Sequence, residues 1–117
     1  MKLITTDHDR GPQILQCPVC GEDYTHISSV SVFARGEDES KGLHVSVSGI
    51  DTYNCTATPS VIVDNNMSGN TSGRRGSVSF TFHCEICQNQ STVAFSQHKG
   101  NTHIAVVDCH AVAIDGA

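Results

Sequence analysis

The chain has 117 residues, 38% of them hydrophobic and only 16% charged, with a formal charge of −5. That length suits one domain and not two well-cored ones. No apolar run approaches the ~20 residues of a membrane-spanning helix, and the acidic balance argues against a general binder of phosphate backbones.

Residues 1–12 read as a flexible N-terminal arm, polar and carrying Asp7, His8, Asp9 and Arg10 before Gly11-Pro12. The start turns polar and acidic too soon for a secretory signal. Residues 13–16 form a short strand that enters Cys17-Pro18-Val19-Cys20-Gly21. Residues 24–33 mix Ile27, Val30, Val32 and Phe33 with Thr25, Ser28, Ser29 and Ser31, a β-branched strand composition. A charged turn occupies 35–42. Residues 43–50 alternate polar and apolar at period two, the mark of a half-buried strand. A further short strand covers 60–64. The stretch 65–76 holds three Gly and three Asn and reads as a mobile loop. From 77 to 84 the alternation returns, with Val78, Phe80 and Phe82 on one face that continues onto Cys84. Strands over 92–96 and 102–107 follow, divided by a turn at 97–101, and 108–117 is a C-terminal tail. No segment sustains a helical period, so the expected fold is all-β.

Six Cys are an unusual load for so small a core, which has two Tyr, four Phe and no Trp. Four form Cys17-x-x-Cys20 and Cys84-x-x-Cys87. A tight turn between two Cys lets both thiolates face one ion, with Pro18 fixing φ and Gly21 free to take positive φ. Two such knuckles supply the four soft ligands of a tetrahedral Zn²⁺ site. A disulfide framework would want a secretory route, and a redox Cys-x-x-Cys would sit at a helix N-terminus. Iron of the rubredoxin kind uses the same spacing. Sixty-three residues separate Cys20 from Cys84, so the pairing requires a folded insertion whose ends return to one place. Both knuckles head β-hairpins, one from strands 13–16 and 24–33, the other from 77–83 and 91–97. The expected architecture is a zinc ribbon over 13–107, with a β insertion at 35–76 that extends the sheet.

Cys17-Pro-Val-Cys-Gly21 with Phe82-His-Cys84-Glu-Ile-Cys87 resembles the zinc-ribbon class. Thr5-Thr-Asp-His-Asp-Arg-Gly-Pro12, Gly73-Arg-Arg-Gly76 and Gln97-His-Lys-Gly-Asn-Thr102 add a narrower resemblance, to small proteins of actinobacterial phages and prophages of the mycobacteriophage type. That resemblance implies a phage or prophage origin, a bacterial cytoplasmic location and a metal role for the four paired Cys. It implies no activity.

His26, six residues past Cys20, is an alternative ligand in a Cys3His set. His44, His83, His98, His103 and His110 read as strand-face or surface residues, and Cys55 and Cys109 as small semi-buried ones. Arg74 and Arg75 lie in the Gly-rich loop and form a candidate interaction loop for an acidic partner or a phosphate. Four thiolates add −4 and Zn²⁺ adds +2, which takes the formal charge from −5 to −7 and further disfavours nucleic acid. Four Asn-x-Ser/Thr sequons carry no weight without a secretory route. The expected function is therefore a structural-zinc module that binds a protein partner. A nucleic-acid-associated ribbon is the alternative, and an enzyme is a second alternative that no catalytic constellation supports. Exposed sheet edges invite a homo-oligomer.

Overall fold

The computed structural model describes residues 4–6 and 14–111, with side chains over 14–107. The parts of the expected arm at 1–3 and 7–12, residue 13 of the expected first strand, and the part of the expected tail at 112–117 lie outside the described residues. Eight strands are formed: β1 (Ile4–Thr6), β2 (Ile14–Gln16), β3 (Thr25–Ala34), β4 (Gly42–Asp51), β5 (Thr56–Asp64), β6 (Ser77–Cys84), β7 (Asn89–His98) and β8 (Asn101–Ala111). The all-β expectation holds, with no helix among the described residues. None of them forms a helix long and apolar enough to cross a membrane.

Six strands make one antiparallel sheet in the order β5-β4-β3-β6-β7-β8. The insertion adds its own hairpin, β4–β5, to the outer side of β3, so the sheet is extended as expected. Several boundaries move outward, β7 among them, which spans Asn89–His98 and not 92–96. β5 begins at Thr56, not 60, and β8 runs to Ala111, taking in the first residues assigned to the tail. The first hairpin also differs from expectation. β2 pairs with β1, Ile4 opposite Gln16, and not with β3. Thus Ile4–Thr6, read as part of a flexible arm, forms a strand, because a three-residue β2 needs a partner for its backbone groups and β3 is already flanked by β4 and β6.

Alternation along each strand and the register between them sort the residues onto two unlike faces. One row runs Val61–Val45–Val32–Val78–Phe95–Ile104 across all six strands. A second row on the same face runs Pro59–Val47–Val30–Phe80–Val93–Val106. Between them, on the other face, runs Ser60–Ser46–Ser31–Ser79–Ala94–Ala105. The apolar side packs within itself where the aromatics meet, with Phe80 edge-on to Phe95 at 5.8 Å and Val93 buried.

The polar face carries one buried aromatic. Phe33 breaks the alternation set by Val30 and Val32, so its ring lies on the serine side. It stacks on His44 with centroids 4.2 Å apart and is covered by the 65–76 segment at Gly69. That segment, expected to be a mobile loop, is tied down. Met67 and Ser72 are buried. Asn70 donates to the Arg75 carbonyl at 2.8 Å, Ser72 Oγ to the Gln97 carbonyl at 2.7 Å, and Ser77 Oγ to Asn70 Oδ1 at 2.7 Å. Arg35 donates to the carbonyls of Arg75, Ser72 and Glu39, each at 2.9 Å. The Gly and Asn content that signals a loop thus serves a packed turn, since Arg35, just past β3, donates to its carbonyls and the Gln97 carbonyl of β7 accepts from it. Gly76 closes it. A Cβ there would stand 2.3 Å from the Phe33 carbonyl oxygen, so backbone must shift. Gly76→Ala is expected to lower stability by ~1–3 kcal/mol, read as a reduced midpoint in urea unfolding at unchanged slope.

Candidate metal centre

Strand pairing places the two knuckles together. β3 begins just after the first knuckle and β6 ends in the second, and Thr25 lies opposite Cys84 in their antiparallel ladder. The ladder continues past the strand ends, where the Glu85 N–H donates to the Tyr24 carbonyl at 3.1 Å. The 63-residue gap is therefore closed by neighbouring strands. The chain leaves β3 at its far end and enters the β4–β5 hairpin, whose turn returns to the same end of the sheet as the knuckles, two strands across from β6.

Each knuckle is a closed turn. Gly21 N donates to the Cys17 carbonyl at 2.9 Å, and Gln88 N to the Cys84 carbonyl at 3.0 Å. The residue after the second Cys is left-handed in both: Gly21 at φ 80° and Gln88 at φ 63°. Glycine takes that conformation freely, whereas Gln88 is held in it by side-chain bonds to His83 and to the Glu85 carbonyl, both 2.9 Å.

The four sulfurs of Cys17, Cys20, Cys84 and Cys87 lie within 4.8 Å of one another. Cys17 to Cys87 and Cys20 to Cys84 are each 3.6 Å. A tetrahedron with metal–sulfur bonds of ~2.3 Å has edges of about 3.8 Å, so the spacing fits a single ion. Cys17 and Cys84 are 1% and 2% exposed, Cys87 is half-buried and Cys20 faces solvent. Backbone and amide donors aim at the sulfurs, with Val19 N–H 3.4 Å from Cys17 Sγ and Asn89 Nδ2 3.2 Å from Cys87 Sγ. Such donors stabilise thiolates and orient them toward a cation.

The thiols do not ionise alike. Burial opposes a Cys87 thiolate, but the Asn89 N–H and the three neighbouring thiols donate to it, and its pKa falls from 9.0 to about 7. At Cys20 the Glu22 N–H favours the thiolate, yet burial and the neighbouring sulfurs outweigh it and the value rises to about 12. Burial also pushes the Cys17 thiol up. Cys87 is thus a ready thiolate near neutral pH, and an incoming cation would displace the protons of Cys17 and Cys20.

Other candidates fall elsewhere. His26 is not in the cluster, and its Nε2 meets the Glu85 carboxylate on the surface. Cys55 lies exposed in the β4–β5 turn, its thiol 3.8 Å from the Thr52 carbonyl. Cys109 lies on β8 opposite Ser91. Arg74 bonds both carboxylate oxygens of Asp38 at 2.8 Å and Glu37 at 3.0 Å, while Arg75 meets Glu37 at 3.3 Å. Both guanidinium groups are thus engaged with the 35–40 turn, and an acidic ligand would have to compete with those carboxylates. The hydrogen-bonded Arg74 guanidinium holds the Asp38 carboxyl below its usual 3.8. A group lowered in the folded state stabilises above its unfolded value and loses that contribution as pH falls through the folded one. The Asp38 carboxyl carbon is therefore expected to titrate below 3.8 in an NMR series, and Arg74→Ala to raise its midpoint, with Arg35 and Arg75 still acting to lower it.

Sequence reasoning missed Arg35, Gln88 and Asn89. Gln88 and Asn89 had a signal, since Gln88 occupies in the second knuckle the place Gly21 holds in the first. Arg35 had none, because its acceptors are backbone carbonyls 4 to 40 residues away in sequence. Comparison of the chain with known protein families, curated proteins and solved structures finds no match.

Proposed function

We propose that the chain is a small zinc-binding module of the zinc-ribbon kind, in which one structural ion fixes the end of the sheet and the rest of the surface serves a protein partner. The observation that carries this reading is the four-sulfur cluster with tetrahedral spacing. Four thiolates fill a tetrahedral shell and leave no place for water or substrate, which favours a structural ion over a catalytic one. The ligand set is soft and accepts iron as well, but zinc suits a site with no evident electron-transfer partner. The motif resemblance favours a phage or prophage source and a cytoplasmic setting. A partner-binding role is supported by the exposed edge strand β5, where Val61, Ile62 and Val63 are all open to solvent.

The test is elemental analysis of the purified chain. One zinc per chain, lost on mutation of Cys17, Cys20, Cys84 or Cys87 and kept on mutation of Cys55, supports the reading. Iron in its place, with a coloured oxidised form, overturns the assignment of zinc. Salt-dependent retention on DNA would favour the nucleic-acid alternative over a protein partner.

A further inference from the structure

A sheet with one apolar face must bury that face against another layer. Here the sheet has no such layer among the described residues. Every substantial contact between its strands runs along a ladder, and β1–β2 forms a separate two-stranded sheet. The 65–76 segment covers the opposite face, at Phe33. The apolar side stays open at both margins. Val61 on β5 is 67% exposed and Ile104 on β8 is 50% exposed.

We infer that this face is a homodimer interface, on which a second copy packs its own apolar face to form a two-layer β-sandwich. Two observations select a second copy as the occupant. First, size: six strands spaced ~4.8 Å and about nine residues long cover roughly 850 Å² per copy, close to the ~800 Å² per partner of a stable interface. Second, charge: both rows that cross the sheet consist of Val, Phe, Ile and Pro alone. An uncharged, continuously apolar surface matches itself across a two-fold axis with no like-charge penalty. Its relief helps, since a concavity of about 330 Å³ lined by Val32, Val78 and Phe95, with Arg35 and Gln97 also on its lining, offers room for side chains of the facing copy. Sheets packed in this way lie ~10 Å apart with strands turned by about 30°.

This differs from pairing through sheet edges, and β5 separates the two modes. Val61 lies on the apolar face of that edge strand and Ile62 on the other face, and Ile62 is also largely exposed. The experiment is light scattering coupled to size exclusion on the zinc-loaded full chain, across a wide range of concentration. A face-to-face dimer gives twice the 12.5 kDa chain mass. Val61→Lys and Ile104→Lys, at opposite margins of the same face, are each expected to return it to the single-chain mass, while Ile62→Lys leaves the dimer intact. All three positions are exposed in the single chain, so each variant is expected to keep its zinc and its circular dichroism. A monomer at every concentration overturns the proposal. So does a dimer that Ile62→Lys dissolves as readily, which is edge pairing, or one that survives both face variants.

Discussion

Removing the metal is expected to unfold most of the domain. Among the described residues only seven hydrophobic side chains are buried, and Cys17 and Cys84 are two of them. A structural zinc site contributes an apparent ~10–16 kcal/mol near neutral pH, as large as the ~5–15 kcal/mol total stability of an ordinary domain. Chelation should therefore collapse the β signal in circular dichroism, and Cys84→Ser should do the same without chelator. Cys55→Ser, in an exposed turn and outside the four-sulfur cluster, is expected to stay within about 0.5 kcal/mol of the parent. The sign of the pH effect follows from the thiols. Cys87 gives up its proton at about 7 and Cys20 only at about 12, so protons compete more strongly with the ion as pH falls. Zinc affinity should drop steeply on acidification below 7, and the unfolding midpoint with it. A stable apo form with an unchanged spectrum would sink the structural role.

Phe33→Ala is expected to cost about 3–5 kcal/mol, the range for truncating a buried aromatic. The ring is 5% exposed, lies flat on His44 and supports the 65–76 segment through Gly69. Its loss leaves a cavity beneath a segment held there mostly by hydrogen bonds, so the segment should loosen before the sheet does. Hydrogen exchange would show this as faster exchange at Asn70 and Arg75 than in β6 and β7. Ile62→Ala, in the same cross-strand row but largely exposed, should cost less than about 1 kcal/mol. Phe33→Leu, which keeps most of the volume, should cost under about 1.5 kcal/mol. Equal losses for Phe33→Ala and Ile62→Ala would mean that the ring supports nothing.

Much of this was readable along the chain because it is local. A Cys-x-x-Cys turn brings its two thiols together through bonds inside the turn. Alternation in β4 and β6 fixes which residues share a face of their own strand, and Phe33 announces itself by falling out of step with Val30 and Val32. What adjoins a strand is a different matter. The partner of β2 is β1 and not β3, and the 65–76 segment is packed and not free, because Arg35 and Gln97 meet it from other strands. Those contacts depend on pairings between residues far apart in sequence, which local composition does not encode.

Period-two alternation and the paired cysteines determined by themselves that this is an all-β chain with four thiols in two tight turns. Only the tertiary structure decided that the four meet, since that required β3 and β6 to pair with Thr25 opposite Cys84. It also decided that six separately alternating strands turn their apolar sides the same way. Register does this: a slip of one residue in any ladder would send that strand's valines to the serine face.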